Sequence, residues 1–166
     1  MSALLSLEDA RHALRYCDSY SRMETLVELG FAMDDASWHV VLGEEWSCCD
    51  NIGQYRQMLR RMLPAEGPVP AMMTPAERAA YDALPERLTV YRGCGEVNMR
   101  GASWSLSRDV AARFPLLLRY RQARPLLVTA TVPRRRVLAV KLDRNEAEVI
   151  TFAARRVSIE ALGVPA

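Results

Sequence analysis

Glu146 and Glu148 stand two residues apart in the run Arg144-Asn-Glu-Ala-Glu-Val-Ile150. On an extended chain, residues two apart point to the same face. Two carboxylates on one face repel, so a site that keeps both has a use for negative charge. The chemistry that fits is cleavage of a glycosidic bond through an oxocarbenium-like state. One carboxylate stabilises the sugar cation, and the other orients or deprotonates the incoming nucleophile. Upstream, Leu88-Thr-Val-Tyr-Arg-Gly93 reads as a buried strand ending at Arg92, with flexible Gly93 beside it. A guanidinium at a strand end suits a bidentate phosphate contact. Between the two lies Gly101-Ala-Ser-Trp-Ser105, alternating polar and apolar. As a strand it sets Ser103 and Ser105 on one face and Trp104 on the other, and a serine hydroxyl can hold a carboxylate in place. Each element alone has a plainer reading: a solvated strand face, a structural ion pair for Arg92, and two ordinary serines over a core tryptophan.

The elements that must position these residues change character along the chain. Residues 1 to 63 read as helical. Ser6 caps a first helix that carries Leu7, Ala10, Leu14 and Cys17 on one face. Ser21 with Glu24 forms a capping-box pattern, Asp35 caps a third helix, and Asp50 or Asn51 starts a fourth. Trp38, Trp46 and Tyr55 are expected as core aromatics. Residues 64–73, with three prolines and a glycine in Pro64–Pro70, form the expected linker. Thr74-Pro75-Ala76-Glu77 then opens a helix: threonine caps, proline takes the first turn and glutamate closes the box. From there the pattern becomes short strand-like runs at Leu88–Arg92, Ala102–Ser105, Leu126–Val132, Val137–Val140, Glu148–Phe152 and Val157–Glu160. One helix capped by Ser107 interrupts them, confined or kinked by Pro115. The fold class is α+β, helices first and a sheet-rich half at residues 74–166.

The order arginine, serine motif, glutamate pair, each at a strand, resembles the Arg–Ser–Glu class of NAD-dependent mono-ADP-ribosyltransferases, which includes bacterial toxins and phage proteins. The resemblance covers residues 74–160. It implies a mixed β-sandwich of the ADP-ribosyltransferase type that binds NAD as substrate and needs no metal. It implies that Arg92, with Gly93, binds the NAD diphosphate, and that Ser103, in the motif with Trp104 and Ser105, positions Glu148. Glu148 contacts the nicotinamide ribose and stabilises the cation, and Glu146 assists the acceptor. Phe114, on the helix after the serine motif, stacks on nicotinamide. A glutamate at position 146 resembles the members that modify arginine, so the implied partner is a protein acceptor. Trp104 stands where the family usually has threonine, and the loop before Glu146 is short and lacks an aromatic residue. Both departures bear on the acceptor more than on NAD. They leave an NAD glycohydrolase, or a non-catalytic NAD-fold binding module, as alternatives. The histidine-dependent class is disfavoured, because His12 and His39 both fall in the helical part.

Composition sets the outer bounds. With 166 residues and 50% hydrophobic content the chain can bury a real core. A net charge of +2 gives no general electrostatic case for nucleic acid, and Arg134-Arg135-Arg136 reads as a tight turn with solvated charges. Cys17, Cys48, Cys49 and Cys94 have no CxxC spacing, and with two histidines they do not suggest a zinc site. Reduced thiols, the absence of a signal-peptide pattern in Met1–Glu8, and no stretch of roughly 18 apolar residues lead to the expectation of a cytoplasmic protein away from membranes.

Overall fold

The computed structural model describes residues 4–143 and 147–163. Among the described residues six α-helices come in chain order: α1 Leu7–Leu14, α2 Arg22–Leu29, α3 Asp35–Glu45, α4 Arg56–Met62, α5 Pro75–Asp82 and α6 Arg108–Arg113. Among the described residues no helix is long and apolar enough to cross a membrane.

Local chemistry explains most helix starts. Ser6 Oγ accepts from Asp9 N, and Asp9 reaches back to the Ser6 backbone, a complete capping box. Thr74 and Glu77 close the same box on α5, with Pro75 in its first turn. Asp34 rather than Asp35 caps α3, accepting from Ser37 N at 2.9 Å. The cap expected at Ser21 lies one turn earlier. Asp18 Oδ1 accepts from Ser21 N at 2.8 Å, and Asp18 N donates to Ser21 Oγ at 3.2 Å, so the serine oxygen is already engaged. Ser107 Oγ caps α6 through Val110 N at 3.3 Å. Pro115 then confines it: the α-helix ends at Arg113, and Phe114–Leu116 tighten into a 3-10 turn.

Six strands among the described residues follow the sequence pattern closely: β1 Arg87–Cys94, β2 Ser103–Ser105, β3 Leu126–Pro133, β4 Ala139–Lys141, β5 Glu148–Ile150 and β6 Arg155–Ala161. They form one open antiparallel sheet in the order β4-β5-β2-β1-β3-β6. The mixed β-sandwich expected from the resemblance is therefore not what the described strands build. Alternation tells which residues are extended and which face is buried, but carries nothing about which strand lies beside which or in what direction. The sheet is continuous, yet its halves are unequally joined. β1 pairs with β3 from Arg87↔Pro133 to Cys94↔Leu126, whereas β1 and β2 share the single pair Tyr91↔Ser105. The long ladder on one side and the single pair on the other leave room beside the β1–β2 junction.

One apolar cluster runs through both parts of the chain, from Ala10, Met23 and Trp38 in the helices to Val90, Val132 and Ile150 in the sheet. Residues 64–73 are part of this packing. Gly67 N donates to Arg135 O and Val69 N to Leu138 O, both at 2.7 Å, and Val69 is buried. Opposite them, α5 is fastened to β4 by a buried ion pair. Lys141 Nζ lies 3.0 Å from Glu77 Oε2 and also donates to Met72 O at 3.2 Å. At the far edge every residue of β6 is exposed, and its arginines and glutamate protect an otherwise open strand edge.

Candidate active site

A cleft of about 220 Å³ opens at the β1–β2 junction, walled by β1, β2, the start of β5, α6 and the turn after α3. Arg92, Gly93, Ser103, Trp104, Ser105, Phe114 and Glu148 all line it. The structure thus brings every described residue of the expected site to one place. Glu146 lies outside the described residues.

The strand register explains how. β2 and β5 pair Ser105↔Glu148 and Ser103↔Ile150, so Ser105 stands directly across from Glu148 and Ser103 diagonally, all on one face. Trp46 reaches in from the turn after α3, and its indole Nε1 donates to both Ser103 Oγ and Glu148 Oε1 at 3.1 Å. A single indole N–H thereby holds the serine and the carboxylate together. Ser105 Oγ accepts from Ser107 N at 3.0 Å, joining β2 to the start of α6.

Arg92 is used internally more than expected. Its Nη1 donates to Ser103 O at 2.8 Å and its Nε to Asn98 O at 3.0 Å, so it holds the chain that leads into β2. No ion pair to a glutamate forms at Arg92 among the described residues. Burial pushes the guanidinium pKa down, and the charges of Cys94 and Glu148 pull it back. Gly101 makes this fit possible: a Cβ there would stand 2.0 Å from Arg92 Cζ. Gly93 serves β1 in the same way, since its Cβ would lie 1.9 Å from Ala111 O in α6.

Phe114 does not stand alone. Its ring stacks on Tyr120, with centroids 4.4 Å apart and planes inclined by 15°. Tyr120 Oη donates to Asp50 Oδ1 at 3.1 Å, and Ser19 Oγ donates to Asp50 Oδ2 at 2.6 Å, with Arg119 paired to the same oxygen. Burial pushes the Asp50 carboxyl up, but these hydrogen bonds outweigh it and hold the group below its usual range. Trp104 donates its indole N–H to Gly101 O at 3.1 Å, packing the loop between β1 and β2.

Several cleft residues carried no signal in the sequence. Trp46 is a core aromatic as expected, but its partners Ser103 and Glu148 are 57 and 102 residues away. Asp50, Tyr120 and Asp143 also line the cleft, and Ser47 Oγ donates to Asp143 Oδ2 at 2.8 Å. Cys49 lines it too, but burial pushes its thiol up to about 12, so it is a packing group and not a thiolate nucleophile.

Compared with family models, with curated proteins and with solved structures, the chain finds no match in any of the three.

Proposed function

We propose that the chain is an NAD-dependent mono-ADP-ribosyltransferase of the Arg–Ser–Glu type, acting on a protein acceptor through an arginine side chain. The observation that carries this reading is the convergence of Ser103 and Glu148 on the Trp46 N–H, in a cleft that also holds Arg92 and the Phe114–Tyr120 ring pair. The α+β architecture, with its strands close to the expected runs, supports the placement of the site residues.

In this reading the bond between nicotinamide N1 and ribose C1′ breaks, and nicotinamide leaves with the electron pair. The ribose is left with cationic character, which the Glu148 carboxylate stabilises while accepting a hydrogen bond from a ribose hydroxyl. The acceptor nitrogen then bonds to C1′ and loses a proton, with Glu146 assigned to orient or deprotonate it. Phe114 and Tyr120 offer an aromatic face for the nicotinamide ring. Arg92 lines the cleft and keeps N–H groups beyond the two given to Ser103 O and Asn98 O, and these are assigned to the NAD phosphates. The cleft, at about 220 Å³, is below the roughly 300–1,000 Å³ of whole-ligand pockets. It suits the nicotinamide–ribose end, with the adenosine end outside.

The test is incubation of the protein with labelled NAD and a cell lysate. Wild type is expected to label protein and release nicotinamide, and Glu148→Gln to lose about 10²–10³-fold in rate with an unchanged circular dichroism spectrum. Full activity in the variant would sink the assignment. Nicotinamide release without labelled protein would mean that the same residues serve hydrolysis.

A further inference from the structure

Gly101 and Trp104, which line the cleft, also line a second cavity of about 460 Å³. Four arginines ring it: Arg56 and Arg60 from α4, Arg100 from the loop before β2, and Arg156 from β6. Trp104 and Phe152 supply apolar wall. No aspartate or glutamate lines it among the described residues.

What distinguishes these four arginines is that they gather around one cavity with no carboxylate in its described wall. Arg11, Arg22, Arg108, Arg119, Arg124, Arg135 and Arg136 all have a carboxylate within 4.0 Å, and the four around the cavity have none among the described residues. Arg56 and Arg60 are one helical turn apart, a spacing at which like charges repel. Arg56 is the most enclosed. Its Nη2 donates to Phe152 O at 3.1 Å, its guanidinium lies over the Phe152 ring at 5.6 Å, and its Nε is buried with no hydrogen-bond partner. Burial pushes the Arg56 pKa down, and Arg60 and Arg100 push it further the same way. A buried N–H donor without an acceptor, amid gathered positive charge, costs stability unless an anion completes it.

We propose that this cavity is a second anion site, one that takes a phosphoryl group, with Arg56 as the fixed inner donor and Arg60, Arg100 and Arg156 as the outer donors. Phosphate fits better than a carboxylate. It presents three terminal oxygens and close to two negative charges, which matches several converging guanidinium groups. The phosphoryl group has two possible sources: NAD itself, its diphosphate passing over Gly101 from the cleft, or a separate phosphorylated ligand. The site follows from the arginines whether or not the chain cleaves NAD.

Isothermal titration with inorganic pyrophosphate at fixed ionic strength tests the proposal. Wild type is expected to bind one pyrophosphate saturably, and Arg60→Gln/Arg156→Gln to bind it at least about tenfold more weakly. Arg78→Gln/Arg87→Gln, which removes the same charge from exposed positions elsewhere, is expected to bind as wild type does. No saturable binding by wild type, equal weakening in both double variants, or undiminished binding in Arg60→Gln/Arg156→Gln would each overturn the site. In wild type, stoichiometric displacement by NAD assigns the site to the dinucleotide's own phosphates, and simultaneous binding assigns it to a second ligand. Nicotinamide release, measured in parallel, reports on the NAD reading separately.

Discussion

Trp46 Nε1 donates to both Ser103 and Glu148, each at 3.1 Å. A hydrogen bond to a charged group contributes about 1.5–3 kcal/mol. Trp46→Phe keeps an aromatic ring in the core and removes only the N–H. The expected outcome is a folded protein whose kcat for nicotinamide release falls about 10- to 100-fold, with KM for NAD little changed. An unaltered kcat would show that the indole is only packing. The cysteines give a second prediction at this scale. Cys48 is exposed, whereas Cys49 is half-buried and its burial pushes the thiol up to about 12. Iodoacetamide at pH 8 is therefore expected to alkylate Cys48 and spare Cys49 in the native protein, as read by mass spectrometry of the peptide that holds both.

Pairs of elements set how closely the walls of the cleft approach. β1 meets α6 at Gly93, where an added Cβ would stand 1.9 Å from a backbone oxygen that cannot rotate away. Gly93→Ala is expected to cost about 1–3 kcal/mol in urea unfolding and to lower nicotinamide release by moving α6 and Phe114. The α5–β4 contact rests on Glu77 and Lys141, both almost fully buried. Burial pushes the Glu77 carboxyl up, but hydrogen bonds from Thr74 N, Leu142 N and Lys141 prevail and hold it below its ordinary 4.5. The unfolded chain then binds this proton more readily than the folded one. The group's contribution is complete above about pH 4.5 and is lost as pH falls through the lowered folded value. Glu77→Gln is expected to destabilise by about 3–5 kcal/mol, because it strands a buried ammonium. The acid-unfolding midpoint of the variant should depend less on pH below 4.5 than that of wild type.

Across the whole molecule the helical part and the sheet share one apolar cluster, and the site draws on both. Trp46 and Asp50 come from the helical part, and they hold Glu148 and Tyr120 in the sheet half. Arg56 bonds Phe152 O across the same boundary. Residues 74–166 expressed alone would expose the sheet face that Trp46 and Leu59 now cover. Such a piece is expected to unfold without a cooperative transition and to release no nicotinamide. A sharp transition together with activity would show that the helices only decorate the sheet half.

Much of this was legible in the chain itself. Capping boxes at Ser6 and Thr74, the break at Pro115 and the six strand runs depend on residues within a few positions of each other, and local sequence fixes local backbone. The candidate residues Arg92, Ser103, Phe114 and Glu148 could be picked out because their order along the chain resembles that of the Arg–Ser–Glu transferases. Their meeting in one cleft could not be read, because strand order and direction depend on long-range pairing, and the expected mixed sandwich proved to be one antiparallel sheet. Nor could the second hydrogen-bonding duty of Trp46, the binding of Arg92 to two backbone carbonyls, or the gathering of Arg56, Arg60, Arg100 and Arg156. The Trp46 contact and the gathering of the four arginines join separate elements of the chain, and only the packed structure decides which of those elements meet.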